Sequence, residues 1–275
     1  MADVHPSALL EGDIHLADEV VIGPGCVLRG RIEVQAGCTI IGNAWLQGPL
    51  TLGKGNVVYP FVCLGFAPQH TAVDPNTDGA GVVIGKGNTF REHVTVHRAM
   101  KEQPTTIGNS NYFMGSSHVG HDGIVGNNCT LVQGSTMGGH AQLADRVVLS
   151  GGAGVHQFCR VGRGGMIGRG AGVSSDVPPW FTVTATNLAG AVNVVGLRRS
   201  GASKEDIDDV RWVYRMLYRS GLPFRSALAA LQERAERPFV AESIAFIEAA
   251  KRPICGGPAK RARARGESGL ADDDG

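Results

Sequence analysis

The sequence predicts an all-β solenoid, a parallel β-helix, followed by a small helical region. Three observations carry that prediction. Counting in sixes from Val4, the stops are Leu10, Leu16, Ile22, Leu28, Val34, Ile40, Leu46, Leu52, Val58 and Leu64, aliphatic without a break. The count restarts at Ile84 with Phe90 and Val96, and again at Ile107, running through Phe113, Val119, Val125, Leu131, Met137, Leu143, Leu149, Val155, Val161, Ile167 and Val173. A helical stripe recurs at three and four residues and an isolated strand at two, so a strict six means short strands joined by turns and stacked coil on coil. Second, many of the 40 glycines follow an aliphatic stop directly, as at Gly23, Gly53, Gly108 and Gly162, where a tight corner favours a residue without Cβ. Third, 275 residues that are 43% hydrophobic and 19% charged can bury a sizeable core.

Six residues per side imply three sides and about eighteen residues per coil, with stacked residues roughly 5 Å apart. Two interruptions, Gly65–Val83 and His97–Thr106, break the count; insertions in a solenoid emerge as loops on one face, often the binding face. The β-helix is expected over 1–180, because Asp176-Val-Pro-Pro-Trp180 removes the ladder donors a further strand needs. Residues 181–252 are expected to form a connecting segment and a helical domain that caps the open end. Ser203-Lys-Glu-Asp206 has the form of a capping box, the apolar positions Ile207, Val210, Val213, Tyr214 and Leu217 follow at helical spacing, and Gly221 closes that helix. Further helices are expected over 225–234 and 240–251. The tail 253–275, rich in Gly, Arg and Asp, is expected to be disordered.

A formal net charge of +1 supplies no global field for nucleic acid or an anionic membrane, so any basic patch is local. No stretch of eighteen apolar residues exists, and the N-terminus lacks the basic and apolar regions of a signal peptide, so no stable membrane insertion and a cytoplasmic location are expected. The six cysteines form no Cys-x-x-Cys pair and are read as reduced core or surface residues, not metal ligands.

The chemistry-bearing stretch is His118-Val-Gly-His121-Asp122, where His121 lies off the apolar stops Val119 and Val125 and faces outward. Adding eighteen leads from His121 to Gly139, and again to Gln157; the same step takes Asp122 to His140. An imidazole, a glycine N–H and a carboxamide in one column suit acyl transfer: a general base, an oxyanion donor and a substrate contact. An outward histidine on a solenoid is ordinarily a solvated surface residue. Against that, His97, His118, His121, His140, His156 and Gln157 crowd one part of the chain.

The pieces Arg91-Glu92, Val94-Thr-Val-His97-Arg98, Ser117-His-Val-Gly-His121-Asp122, Gly139-His140, Val155-His-Gln-Phe158, Asp176-Val-Pro-Pro179 and Gly196-Leu-Arg-Arg199 occur in that order. Together they resemble the acyl-carrier-protein-dependent UDP-N-acetylglucosamine O-acyltransferases of lipid A biosynthesis. The resemblance implies a left-handed parallel β-helix assembled as a homotrimer, with active sites in clefts between subunits. It implies that His121 is the base for the sugar 3-hydroxyl, that Asp122 orients it and that Gly139 supplies the oxyanion N–H. It further implies substrate-binding roles for His70, His97, His118, His140, His156, Gln157 and Asn193, and a nucleotide-side role for Arg199. The donor would be an acyl thioester on acyl carrier protein and the acceptor a UDP-sugar, with no metal and no cofactor.

This chain departs from the family pattern at four places. Gln69-His70-Thr71-Ala72 stands where the family has Gln-Asp-Leu-Lys, Val195 where it has a glutamate, and Ser200 where a second arginine is usual. Arg169 falls at the position that gauges acyl length, commonly glycine, and is expected to restrict the acyl group to about ten carbons or fewer, from its place about 13 Å along the axis from His121. Arg211, Arg215 and Arg219 form an i, i+4, i+8 line that could steer acidic acyl carrier protein or be merely a solvated helix face.

Three alternatives stay open at this point. A γ-type carbonic anhydrase shares the solenoid and holds zinc on three histidines, but pairs its ligands at His-x-x-x-x-His, a longer step than His118 to His121. A paralogue acting on another nucleotide sugar, or a non-catalytic scaffold, would accommodate the lost acceptor charges. The N-acyltransferase one step later in the pathway is disfavoured, since the hexads begin at Val4 with no uridine-binding domain before them.

Overall fold

The computed structural model describes residues 1–258. Short strands form three sheets of eleven, nine and eight strands, here called A, B and C, and the chain visits them in turn. Pairing is parallel and steps by one coil: in sheet B, Leu9 sits against Val27, Val27 against Trp45, His118 against Thr136, Thr136 against Gly154 and Gly154 against Gly172. The three sheets enclose a triangular prism filled by the six-count residues. Every stop from Ile22 onward is buried. Val4, Leu10 and Leu16 are not, because they line the first coil, which has no coil beneath it.

Both insertions leave the prism at the same corner. The first runs from Phe66 in sheet B to Val82 in sheet C, and the second from His97 in sheet B to Thr105 in sheet C. The coil is completed across them, since Cys63 pairs with Thr95 and Thr95 with His118. The longer loop is tied down by Arg98. The residue is 3% exposed, and its guanidinium donates to the carbonyls of Gly65, Pro75 and Thr77 at 2.6–3.1 Å.

The solenoid continues past the prolines expected to end it. The strand Phe181–Ala185 pairs in parallel with Met166–Ile167 and then turns back, antiparallel, into Leu188–Val192. Pro178 and Pro179 remove donors only from the last turn, and the chain regains its ladder at Phe181. This hairpin terminates sheet A, and helices α1 (Val194–Arg199), α2 (Lys204–Arg219), α3 (Phe224–Leu231) and α4 (Pro238–Glu248) follow. Helix α2 starts as expected, with the reciprocal Ser203–Asp206 capping box. Its Tyr214 hydroxyl donates to Ala189 O in the hairpin, and Arg163 of the last coils holds Glu242 of α4 at 2.6 Å, so the helices lie over the prism's end. Helix α1 has no counterpart in the sequence expectation: two valines and Gly196 argue against a helix, and the Asn193 cap allows it.

The expected disordered tail needs correction at its start. Asp176 N–H donates to Pro253 O, Cys255 N–H to Asp176 O, and the buried Cys255 lies against the solenoid's end. The extended backbone after α4 finds unpaired groups at the last coil. Residues 259–275 lie outside the described residues. All six cysteines are free, five of them buried, and burial pushes the Cys129 thiol up to about 12, as expected of inert core thiols.

Candidate active site

The B-to-C corner recurs at 120–123, 138–141 and 156–159. His140 N–H donates to His121 O at 2.9 Å and Phe158 N–H to Gly139 O at 3.1 Å, so the eighteen-residue step holds. His121, Gly139 and Gln157 form one column; Asp122, His140 and Phe158 form the next. The second column adopts left-handed backbone throughout, with φ of 56°, 59° and 65°, and these turns project the side chains out of the prism.

His121 and Asp122 make a dyad. Nδ1 of His121 lies 2.7 Å from Oδ2 of Asp122, with side chains 13% and 6% exposed. The carboxylate also accepts the Met100 and Lys101 N–H groups at 3.1 and 2.9 Å, fastening the second insertion to the dyad, and the Asp122 N–H donates to Thr105 Oγ1. Burial works to raise the Asp122 carboxyl, but His121 and the two amides outweigh it and hold it below the usual carboxylate range. An ionised acceptor on Nδ1 fixes the proton there and leaves the Nε2 lone pair free.

That Nε2 lies against Gly139. A Cβ built on Gly139 would be 2.6 Å from both Nε2 and Cε1 of His121, so any larger residue would displace the imidazole. Among the described residues the Gly139 N–H, which lies outside any strand, donates to no protein acceptor. The equivalent amides of His121 and Gln157 are free in the same way; what distinguishes Gly139 is the His121 imidazole packed where its side chain would be.

Other histidines close round this pair. His70, on the first insertion, meets His121 edge-on with ring centroids 6.3 Å apart, and His140 does so at 5.1 Å. His118 is bonded to Thr95 Oγ1 at 2.8 Å and packs 5.3 Å from His97, whose Nδ1 bonds the Ala67 carbonyl. Burial, reinforced by the neighbouring imidazoles, pushes His118 down to about 4. Burial likewise lowers His97 and His140, in the latter against the pull of Asp122. These rings are therefore neutral around pH 7 and can both donate and accept.

A relative from Halorhodospira halophila, an acyl-[acyl-carrier-protein]–UDP-N-acetylglucosamine O-acyltransferase, is 38% identical over 258 residues, covering 92% of this chain and 99% of its own. The chain belongs to the UDP-N-acetylglucosamine O-acyltransferase family. A relative of the same name from Verminephrobacter eiseniae is 36% identical over 90% of this chain and 96% of its own. Residues 176–255 match the family model described as "Udp N-acetylglucosamine O-acyltransferase; Domain 2". Among solved structures, the Moraxella catarrhalis UDP-N-acetylglucosamine O-acyltransferase superposes with a TM-score of 0.85 at 30% identity over 92% of this chain and 99% of that one. The Francisella novicida enzyme does so at 0.84 and 33%, over 94% and 93%.

Not every family position expected from the sequence falls at the His121 corner. His156 and Gln157 lie on it but higher, Gln157 two coils or about 10 Å from His121, with His156 turned onto the Gln157 carbonyl. Arg169 lies between Met166–Ile167 of sheet A and Gly172–Val173 of sheet B, hence at the A-to-B corner. Forty-eight residues are two coils and two further sides, so Arg169 and His121 stand on different edges of one chain. Asn193 and Arg199 line a cavity of about 480 Å³ on the outer face of sheet A, together with Arg146, Met166 and Thr182. Asn193 also has structural work, donating to Gly164 O and capping α1 at Gly196 N. On α2, Arg211 pairs with Asp208 at 3.1 Å, whereas among the described residues Arg215 and Arg219 form no ion pair.

Four contributors escaped the sequence expectation. Phe158 lies flat on His140, ring centroids 4.5 Å apart and 5° from parallel; one more step of eighteen from His140 would have found it. Met100 and Lys101 act through backbone amides, which side-chain patterns do not reveal. Arg98 holds the loop that carries His70.

Proposed function

We propose that this chain transfers an acyl group from acyl carrier protein to the 3-hydroxyl of UDP-N-acetylglucosamine, the opening step of lipid A biosynthesis. The observation that carries the mechanism is the Asp122–His121 dyad, its free Nε2 packed against Gly139, whose N–H is unpaired. His121 Nε2 takes the 3-hydroxyl proton as that oxygen attacks the thioester carbonyl. Asp122 stabilises the imidazolium, the Gly139 N–H receives the oxyanion, and collapse expels the thiolate, which recovers the proton from His121. His70, His97, His118 and His140 line the acceptor side, and His156 with Gln157 continues the wall. No step draws on a metal or cofactor.

The working unit is a homotrimer. His121 sits on a prism edge, and Asn193 and Arg199 on the face opposite that edge. One UDP-sugar touching both sets must bridge two chains, which supports clefts shared between subunits. Arg215 and Arg219, with Arg211, offer a basic line for acidic acyl carrier protein. Among the described residues no helix is long and apolar enough to cross a membrane, consistent with an enzyme working in the cytoplasm on a water-soluble donor and acceptor.

Purified protein assayed with a panel of nucleotide sugars and acyl-carrier-protein thioesters tests this reading. The expected result is O-acylation of UDP-N-acetylglucosamine. Because His70 and Ala72 replace an acid and a lysine of the family pattern, preference for another UDP-sugar would keep the reaction class and change the acceptor.

A further inference from the structure

The Asp122 carboxylate is shared by two imidazoles. Oδ2 lies 2.7 Å from Nδ1 of His121 and 3.8 Å from Nε2 of His140. All three donor atoms fall within 4.8 Å of one another. A tetrahedral zinc ion with bonds of about 2.0–2.1 Å sets its ligand atoms roughly 3.3 Å apart, so the His121–Asp122 contact must open and the Asp122–His140 contact close by about half an ångström each, and the two imidazole nitrogens, within 4.8 Å of each other, must settle at the same spacing. Oδ2 accepts from His121 and Met100, and Oδ1 from Lys101 alone, so Oδ1 keeps a free lone pair and Oδ2 gains one when Nδ1 of His121 gives up its proton.

We propose that His121, Asp122 and His140 form an exchangeable, inhibitory site for a borderline divalent cation, Zn²⁺ foremost, completed by water from the cleft. Two imidazole nitrogens and one carboxylate favour Zn²⁺ over Mg²⁺ or Ca²⁺, which require oxygen ligands. The inhibitory consequence rests on His121 acting as the base. A neutral imidazole has one nitrogen lone pair. In the dyad that lone pair is on Nε2, with the proton on Nδ1. A metal at Nδ1 takes the lone pair there, the proton moves to Nε2, and the nitrogen facing the acceptor changes from base to donor. The ring stays neutral, no net proton is released, and its catalytic tautomer is lost. The site needs no thiolate or multi-carboxylate cage, because the eighteen-residue step supplies His140 as the third ligand.

The full-length, metal-stripped protein should be titrated with Zn²⁺ in chelator-buffered solution, reading bound metal and acyl transfer in parallel. The expected result is one Zn²⁺ per chain with a dissociation constant on the order of micromolar. Activity should be lost at the same midpoint and recovered with EDTA, and millimolar Mg²⁺ should leave it unaffected. His140→Gln and, separately, Asp122→Asn should each weaken Zn²⁺ binding at least tenfold or so, the lower end of what even an outer-shell partner is worth. Binding unchanged in both variants, anomalous density for zinc elsewhere, or full activity at full occupancy would each overturn the proposal. If the protein transfers no acyl group at all, the functional reading fails while stoichiometry and the two variants still decide the site.

Discussion

Two corners of the same solenoid, built on the same repeat, use their polar side chains in opposite ways. At the C-to-A corner, Asn56, Asn88 and Asn111 form a buried ladder in which every carboxamide is consumed. Each Oδ1 accepts the N–H of the residue one coil up (Asn88, Asn111 and Cys129) at 2.7–2.9 Å, and each Nδ2 donates to a glycine carbonyl. Outside it, Asn109, Asn127 and Asp145 form a second column of opposite sense, in which the side-chain oxygens of Asn127 and Asp145 accept the N–H of the residue one coil below. At the B-to-C corner, Asp122 is likewise bonded to backbone, but Nε2 of His121 and the Gly139 N–H are left over. One corner spends its polarity on the fold; the other keeps reactive groups in reserve. Polar groups that the fold does not consume are a better marker of chemistry than polarity itself.

The largest effect should come from exchanging damage between the corners. His121→Ala is expected to lower turnover by roughly a hundred- to ten-thousand-fold, the usual worth of a positioned general base, with an unchanged denaturation midpoint. Asn111→Ala should do the reverse: two buried backbone groups lose partners at about 1–3 kcal/mol each, while the folded fraction keeps its turnover. Paired kinetics and urea melts decide it, and a His121→Ala variant with near-normal turnover would sink the base assignment.

Gly139→Ala sharpens the contrast within one corner. The added methyl meets the imidazole rather than backbone, and Gly139 is not among the glycines of positive φ. Stability should hold while turnover falls on the order of a hundredfold, as misplacing a catalytic group by about 1 Å does.

A third test moves away from the chemistry. Reversing Arg211, Arg215 and Arg219 to glutamate should raise KM for acyl carrier protein about tenfold at low salt and weaken its salt dependence, leaving a small pantetheine thioester unaffected. Equal losses with both donors would mean that α2 matters only for folding.

Acid should act on the histidine corner before the asparagine one. Folded His118 titrates near 4 and an unfolded histidine near 6.5, so between those values the unfolded chain binds the extra proton and stability falls as pH drops. His118→Gln should flatten that slope in melts between about pH 6.5 and 4; an unaltered slope would place the acid sensitivity elsewhere.

The smallest effect concerns Arg169. Replacing it with glycine should admit longer acyl chains, each further buried methylene adding about 0.8 kcal/mol of binding, read as a shift in preference across a donor series. No shift would mean that Arg169, on its A-to-B corner, points away from the acyl path.

Hexad spacing made the prism, its stacking step and the His121–Gly139 column legible, because each coil repeats one geometric problem with one solution. What stayed hidden was set by contacts without a period. The hairpin at 181–192 depends on docking against the last coil, α1 on a single asparagine cap, and the Asp122 anchor on backbone amides of a loop. The edge on which Arg169 falls is set by the remainder after whole coils, which axial distance alone does not express. His97 and His118 could be listed as neighbours, but not as buried and neutral.

At matching turns of the A-to-B corner, left-handed backbone falls on Gly134, Gly152 and Gly170, where it costs little; at the B-to-C corner it falls on Asp122, His140 and Phe158. Each of those three forgoes on the order of 1 kcal/mol. Over these turns a search for thermostable variants would be drawn to glycine at the three positions that carry the reactive column. Selection for heat resistance alone would erase the enzyme while perfecting its scaffold.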